Sequence, residues 1–247
     1  MTDNCKRVHF IGVGGVGMSG IARVAADAGM RVSGSDMKSS RYTDDLVAAG
    51  IPIFIGHDAK HVTDDIDAVV ISTAIPETNP ELVRARELGI AVWHRAHMLA
   101  ELGRGKKTLA ACGTHGKTTT TAMLTEVLID GGLDPSAIIG GKLPMLGANS
   151  RVGRSETIVV EACEYVDTFL QLHPAVSVIL NIDADHLDYF KTVDNIVKSF
   201  HQFGEQTSQL VVVNGDNEKA MESVRGLQAK IVTFGMKDTN DYYPTEM

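Results

Sequence analysis

The stretch Lys106–Thr121, KKTLAACGTHGKTTTT, decides how this chain is read. An apolar run from Thr108 to Cys112, flanked by charge and glycine, predicts a buried strand. The turn Gly113-Thr114-His115-Gly116 follows, and a helix is predicted from near Lys117. Strand, glycine turn, Lys-Thr and helix are the parts of a phosphate-binding loop. Glycines let backbone N–H groups close on an anion, and the helix start adds unpaired N–H groups and partial positive charge. In such a loop Lys117 reaches the β- and γ-phosphates and the Thr118 hydroxyl faces Mg²⁺. Gly113, Thr114, His115, Gly116 and Thr119 complete the ATP cradle. One position departs from the pattern: Ala111 stands where a glycine is usual. The plainer alternative is a glycine-rich turn that caps an ordinary helix.

A second glycine turn lies near the amino terminus. Arg7 to Val13 is a short apolar strand that runs into Gly12-Val13-Gly14-Gly15-Val16-Gly17. Gly12, Gly14 and Gly17 form G-x-G-x-x-G. A helix follows from about Met18 to Ala28, then a strand from Met30 to Ser33, then Asp36. That acid sits about 20 residues past the last glycine, where a dinucleotide fold keeps its ribose-binding carboxylate. The order favours a nucleotide-phosphate role over plain helix–strand packing, although an Asp after a strand also serves as a turn or cap residue. By itself this half would suit a dehydrogenase that uses NAD(P), but the second phosphate loop would then have no task.

The α/β alternation continues along the chain. Ser72 and Thr73 follow the apolar strand Ala68–Ser72, at the end where open parallel sheets bind ligands. His57, His61, His94 and His97 show no ligand cluster with a carboxylate and read as surface or structural residues. Gly103-Arg104-Gly105-Lys106 is the best linker. It divides the chain into domains 1–104 and 105–247. In the second, only a short strand is expected at Ile138–Ile139. TIVVE (Thr157–Glu161) ends a strand on a carboxylate, with Glu164 close behind, and a strand ending at Asn181 leads to His186. Those groups fall at the edge that carries the phosphate loop. There a triphosphate and its Mg²⁺ need hard ligands, supplied by Glu161 or Glu164 together with His186.

The bulk numbers fit a soluble globular α/β protein: 247 residues, 44% hydrophobic and 22% charged. A net charge of −8 argues against a nucleic-acid surface. Three cysteines without a repeated spacing, Cys5, Cys112 and Cys163, imply a reducing cytoplasm. MTDNCKRVHF lacks the apolar core of a signal peptide, and no run approaches the length of a membrane span.

With these motifs the chain resembles the Mur ligases. The stretches that carry the likeness are GVGGVGMSGIA (Gly12–Ala22), SGSD (Ser33–Asp36), STAIPETNPE (Ser72–Glu81), ACGTHGKTTTTAM (Ala111–Met123), EACEY (Glu161–Tyr165) and NIDADHLDYF (Asn181–Phe190). The resemblance implies a Rossmann-like parallel-sheet domain that binds UDP-N-acetylmuramate, followed by an incomplete P-loop ATPase-type α/β domain. Gly12, Gly14, Gly15, Val16 and Gly17 would take the diphosphate, with Asp36, Ser72 and Thr73 near the nucleotide sugar. Lys117, Glu161 and His186 would be catalytic, and Thr118, Glu161 and His186 would hold the metal, with Glu164 the alternative carboxylate. The implied reaction joins L-alanine to the muramyl carboxylate through an acyl-phosphate, with ATP and Mg²⁺. A related ligase that recycles murein tripeptide, and a non-catalytic nucleotide-binding module, are the alternatives. The family is about twice this long, so the expected polypeptide binds the UDP-sugar and turns over poorly.

Overall fold

A computed structural model describes residues 5–143 and 147–245. The chain forms two compact units, residues 1–102 with 140–152, and residues 103–139 with 153–247. The linker expected at Gly103–Lys106 lies where the first crossing occurs. The return of 140–152 to the first unit has no signal in the sequence. Among the described residues no helix is long and apolar enough to cross a membrane.

The first unit alternates strands and helices: β1 (Arg7–Ile11), α1 (Val16–Asp27), β2 (Arg31–Asp36), α2 (Arg41–Ala48), β3 (Ile53–Ile55), β4 (Ala68–Ile71), α3 (Pro80–Glu87), β5 (Ala91–His94) and α4 (Arg95–Gly103). All neighbouring strands are parallel, in the order β3-β2-β1-β4-β5. Helices on both faces bury β1 and β4, which is why they read as continuous apolar runs. Local chemistry sets the helix starts. Ser40 and Thr43 form a reciprocal capping box on α2, and the Asn79 side chain caps α3 ahead of Pro80.

The second unit contains β6 (Lys107–Cys112), α5 (Lys117–Asp130), the first half of β7 (Ser136–Leu143), β9 (Thr157–Glu161), a 3₁₀ segment (Tyr165–Gln171), β10 (Val176–Ile179), α6 (Leu187–Phe190), α7 (Val193–Glu205), β11 (Leu210–Asn214), α8 (Glu218–Ser223) and β12 (Lys230–Phe234), while β8 (Ala148–Arg151) falls in the returning segment 140–152 of the first unit. The strand order is β12-β11-β10-β6-β9-β7-β8. Helix α7 lays Ile196, Val197, Phe200 and Phe203 on one buried stripe, and Phe169 stacks on Phe203. The strand expected at Ile138–Ile139 is longer, and β8 was not foreseen. ANSR has neither apolar alternation nor β-branched residues to announce it. Within the first unit, Asn149 of β8 donates to Ser19 Oγ (3.0 Å) and to the Val16 carbonyl of α1.

His57 and His61, read from sequence as surface or structural residues outside any ligand cluster, do meet a carboxylate that the spacing does not reveal. Both converge on Glu81, which is fully buried in the first turn of α3. His61 Nδ1 lies 2.6 Å from Glu81 Oε1 and His57 Nδ1 lies 2.8 Å from Oε2. The Ser35 hydroxyl donates to Oε2 at 2.5 Å, and His9 Nε2 lies 3.7 Å from Oε1 without a hydrogen bond. Sequence spacing hid the cluster because its members come from β1, β2, the segment after β3, and α3. Burial alone would push the Glu81 carboxyl up. The facing His9 and His61 imidazoles and the Ser35 hydroxyl outweigh it and hold it down at about 2. The folded-state value lies below the ordinary 4.5. Its stabilisation is therefore present above that pH and lost as pH falls towards 2, on the order of 3 kcal/mol. Glu81→Gln is expected to be less stable at neutral pH and to show a flatter loss of stability between pH 4.5 and 2. Urea unfolding across that range checks both.

Candidate functional site

In the second unit β6 lies between β9 and β10, parallel to both. Strand order reverses at β6, so a crevice opens beyond its carboxyl end. The expected phosphate loop leaves the strand there. Gly113 has φ +140°, and a Cβ on it would fall 3.0–3.1 Å from Leu180 and Asn181. Only glycine passes that point without displacing the backbone after β10. Asn181 then ties the turn down. Its side chain accepts from His115 N at 2.8 Å and donates to His115 O at 3.0 Å, and its carbonyl accepts from Thr114 N at 3.1 Å. The Thr114 hydroxyl accepts from Asp183 N at 2.9 Å. Helix α5 starts at Lys117, with Gly116 left-handed before it, so Thr118 and Thr119 lie in its first turn.

The candidate side chains meet in two pairs. The Thr118 hydroxyl donates to Glu161 at 2.9–3.1 Å. Lys117 Nζ donates to the carbonyls of Gly113 (2.6 Å) and Thr114 (3.2 Å), and to Glu164 Oε1 (3.1 Å). It also lies 2.9 Å from Glu164 Oε2, an ionic contact outside hydrogen-bonding geometry, which leaves that buried oxygen without a donor. Glu164 is 2% exposed. His186 stands beside Glu164, with Nε2 4.0 Å from Oε1, and its ring centroid lies 4.6 Å from that of Tyr165. Glu161 and Glu164 thus divide the work: one faces the threonine, the other the lysine and the histidine. Among the described residues no group of three His, Cys, Asp or Glu side chains could hold a metal unaided.

Backbone strain gathers around this site. Among the described residues the non-glycine positions with positive φ are Val166 (54°), Asp167 (53°), His186 (52°) and Lys191 (69°). A β-branched residue such as Val166 rarely adopts that conformation, so the surroundings must hold it there. The Asp167 carboxylate accepts from Tyr189 OH at 2.6 Å and from the Ser199 hydroxyl. The hydrogen bond to Asp167 also pushes the Tyr189 phenol pKa up.

In the first unit the glycine turn leaves β1, beside the reversal of strand order between β1 and β4. The Ser35 carbonyl accepts from Gly12 N (2.8 Å) and Val13 N (2.9 Å). The expected ribose acid, Asp36, accepts from Gly14 N at 2.8 Å through Oδ2. A Cβ on Gly14 would lie 2.9 Å from that oxygen, so the close approach needs glycine. Gly15 is exposed, Val16 and Gly17 open α1, and Ser72 and Thr73 follow β4 with Thr73 exposed. Sequence reasoning missed Arg95. Its Nη1 would be 2.7 Å from a Cβ on Gly17, which places the guanidinium against the start of α1. Nothing in the local pattern around Arg95 gives this away, because the contact is between residues 78 positions apart (95 − 17).

Asp167→Ala is expected to cost about 1–3 kcal/mol, since two donors lose their acceptor beside a strained backbone. Asp167→Asn, which tolerates left-handed backbone, is expected to cost less. Urea unfolding of both variants checks the order.

Comparison with known proteins agrees with this geometry. Residues 7–107 match the Mur ligase family, catalytic domain, and residues 112–247 match the Mur ligase middle domain. The UDP-N-acetylmuramate–L-alanine ligase of Clostridium novyi (strain NT) is 43% identical over 241 residues, 96% of this chain and 52% of that protein. The enzyme of the same name from Clostridium perfringens is 44% identical over 241 residues, with the same coverage. Among solved structures, the UDP-N-acetylmuramate-alanine ligase MurC of Thermotoga maritima superposes with a TM-score of 0.82 at 34% identity, covering 94% of this chain and 53% of that one. The UDP-N-acetylmuramate:L-alanyl-gamma-D-glutamyl-meso-diaminopimelate ligase of Neisseria meningitides gives 0.84 at 30% identity, covering 93% and 78%. The chain spans about half the length of the curated relatives it matches, 52% in both cases. Its two matched regions cover almost all of its length, and the chain belongs to the Mur ligase family.

Proposed function

We propose that this chain carries the UDP-sugar-binding and phosphate-loop portions of an ATP-dependent ligase that joins L-alanine to UDP-N-acetylmuramate. The first unit, read from sequence as residues 1–104, would take the UDP-sugar, and the second, read as 105–247, would take ATP with Mg²⁺. The observation that carries the reading is the placement of Lys117, Thr118, Glu161, Glu164 and His186 around one glycine turn at the end of β6. Relatives named as alanine ligases, at 43–44% identity, favour L-alanine over a murein peptide, whose ligase is 30% identical. The fold does not separate these two, since their TM-scores are 0.82 and 0.84.

The donor set fits the cation. Thr118 and Glu161 offer adjacent hard oxygens, and Mg²⁺ in phosphoryl-transfer sites uses one or two carboxylates plus substrate phosphates. Thr118 and Glu161 would hold it, with His186 on the Glu164 side. When bound, Mg²⁺ neutralises charge on the transferring phosphoryl group. The protein's own part is positioning. Lys117 is the cation nearest the turn, and Gly113, Thr114 and Glu164 fix its ammonium. The amides of Gly116, Thr118 and Thr119 would border the anion site, beside His115, whose own N–H is held by Asn181. Gly12, Gly14, Gly15, Val16 and Gly17 would cradle the diphosphate, with Arg95 adding a formal charge that the turn lacks. Asp36 would orient the turn through Gly14, and Ser72 and Thr73 would face the sugar.

Thermal unfolding tests the assignment, because a ligand that binds the folded state raises its melting temperature. ATP–Mg²⁺ and UDP-N-acetylmuramate should each stabilise the protein, and NADH should not. Lys117→Ala should weaken ATP–Mg²⁺ at least about tenfold and spare the UDP-sugar, and Arg95→Ala should do the reverse. Stabilisation by NADH alone would overturn the reading.

A further inference from the structure

A fully buried carboxylate is costly unless its charge is compensated, and a neutral side chain could fill the first turn of α3 equally well. Glu81 is instead ionised and touched from four directions. His9 of β1 faces it at 3.7 Å, Ser35 of β2 donates to it, and His57 and His61 reach it from the segment after β3. Its own backbone N–H is held by the Asn79 cap at 2.9 Å. Outside this cluster, Lys60 is paired to Asp58 at 2.8 Å. On the turn's other side, Asp36 holds Gly14.

Ser35 belongs to both arrangements. Its hydroxyl is on Glu81, and its carbonyl receives the Gly12 and Val13 N–H groups that begin the glycine turn. Ser35 is itself fully buried, and the other neighbour of its hydroxyl, His57 Nδ1 at 3.1 Å, is held by the same Glu81 oxygen. The Ser35 side chain thus ties the peptide unit at the exit of the turn, itself paired with Ile11 of β1, to a carboxylate 46 residues away.

We propose that Glu81 is a positioning residue for the anion cradle of the first unit. It acts through Ser35 to fix where the turn directs its remaining N–H groups, and so sets affinity for the diphosphate of a nucleotide sugar. The ligand class rests on the function proposed above. The dependence of the turn on Glu81 does not.

The test uses the 247-residue polypeptide with Glu81→Gln, Ser35→Ala and Ser35→Thr, and it has two readouts. The first is amide hydrogen exchange at Gly12 and Val13, compared with Phe10 in the same strand. In Glu81→Gln and Ser35→Ala, Gly12 and Val13 should exchange at least about tenfold faster than the change at Phe10 accounts for. The second is calorimetric titration with UDP-N-acetylmuramate, for which both variants should bind at least about fivefold more weakly. Ser35→Thr, which keeps the hydroxyl, should restore both. His57→Asn removes one donor to Glu81 and should give a smaller shift in the same direction, should Glu81→Gln fail to fold. Exchange that rises equally at Phe10, Gly12 and Val13 would overturn the proposal and leave Glu81 a stabiliser of the core. Altered exchange with unchanged affinity in a binding wild type would overturn its link to the ligand. Altered exchange in a wild type that does not bind would sustain the positioning role and overturn the UDP-sugar reading.

Discussion

Parallel strands whose order reverses leave a gap at their carboxyl ends, and everything functional in this chain depends on glycine turns filling it. β1 lies between β2 and β4, and β6 lies between β9 and β10. In each case the next helix begins within a few residues of the strand end. Its unpaired N–H groups and partial positive charge therefore face the crevice. The turn must pass close to its neighbours to do this. Gly113 runs against Asn181, and Gly14 runs against the Asp36 carboxylate.

Both units pair such a turn with a glutamate that solvent scarcely reaches. Glu164 carries the charge that holds Lys117 beside the second glycine turn. Glu81 carries the charge that gathers three imidazoles and a hydroxyl beneath the first turn. What such a charge adds to stability is the difference between the attraction of its partners and the cost of desolvation. Its value lies in direction: a carboxylate with several bound donors has few alternative geometries. The strained positions Val166, Asp167 and His186 belong to the same economy of placement. They orient the ends of two loops at the site, and the bonds of Asp167 to Tyr189 and Ser199 hold the strain in place.

Much was legible from local pattern. Apolar runs marked the inner strands, and β9 falls where the pattern puts it. Glycines marked the two turns. These signals are local because strand burial and turn geometry are each settled within a few residues. β8 escaped because its short polar sequence is held by contact with α1, not by its own propensity.

The sequence by itself determined that two strand–turn–helix units carry glycine turns at their strand ends, and that Lys117, Thr118, Glu161 and His186 accompany the second. Only the tertiary structure decided how those side chains divide, with Glu161 on Thr118 and Glu164 between Lys117 and His186. It alone brought Arg95 to Gly17, residues 140–152 to the first unit, and His9, His57 and His61 to Glu81. Hydrophobic period and turn chemistry act over neighbouring residues and leave a trace in their order. Charge compensation in a buried space acts between residues that the fold makes neighbours, and no spacing along the chain records it.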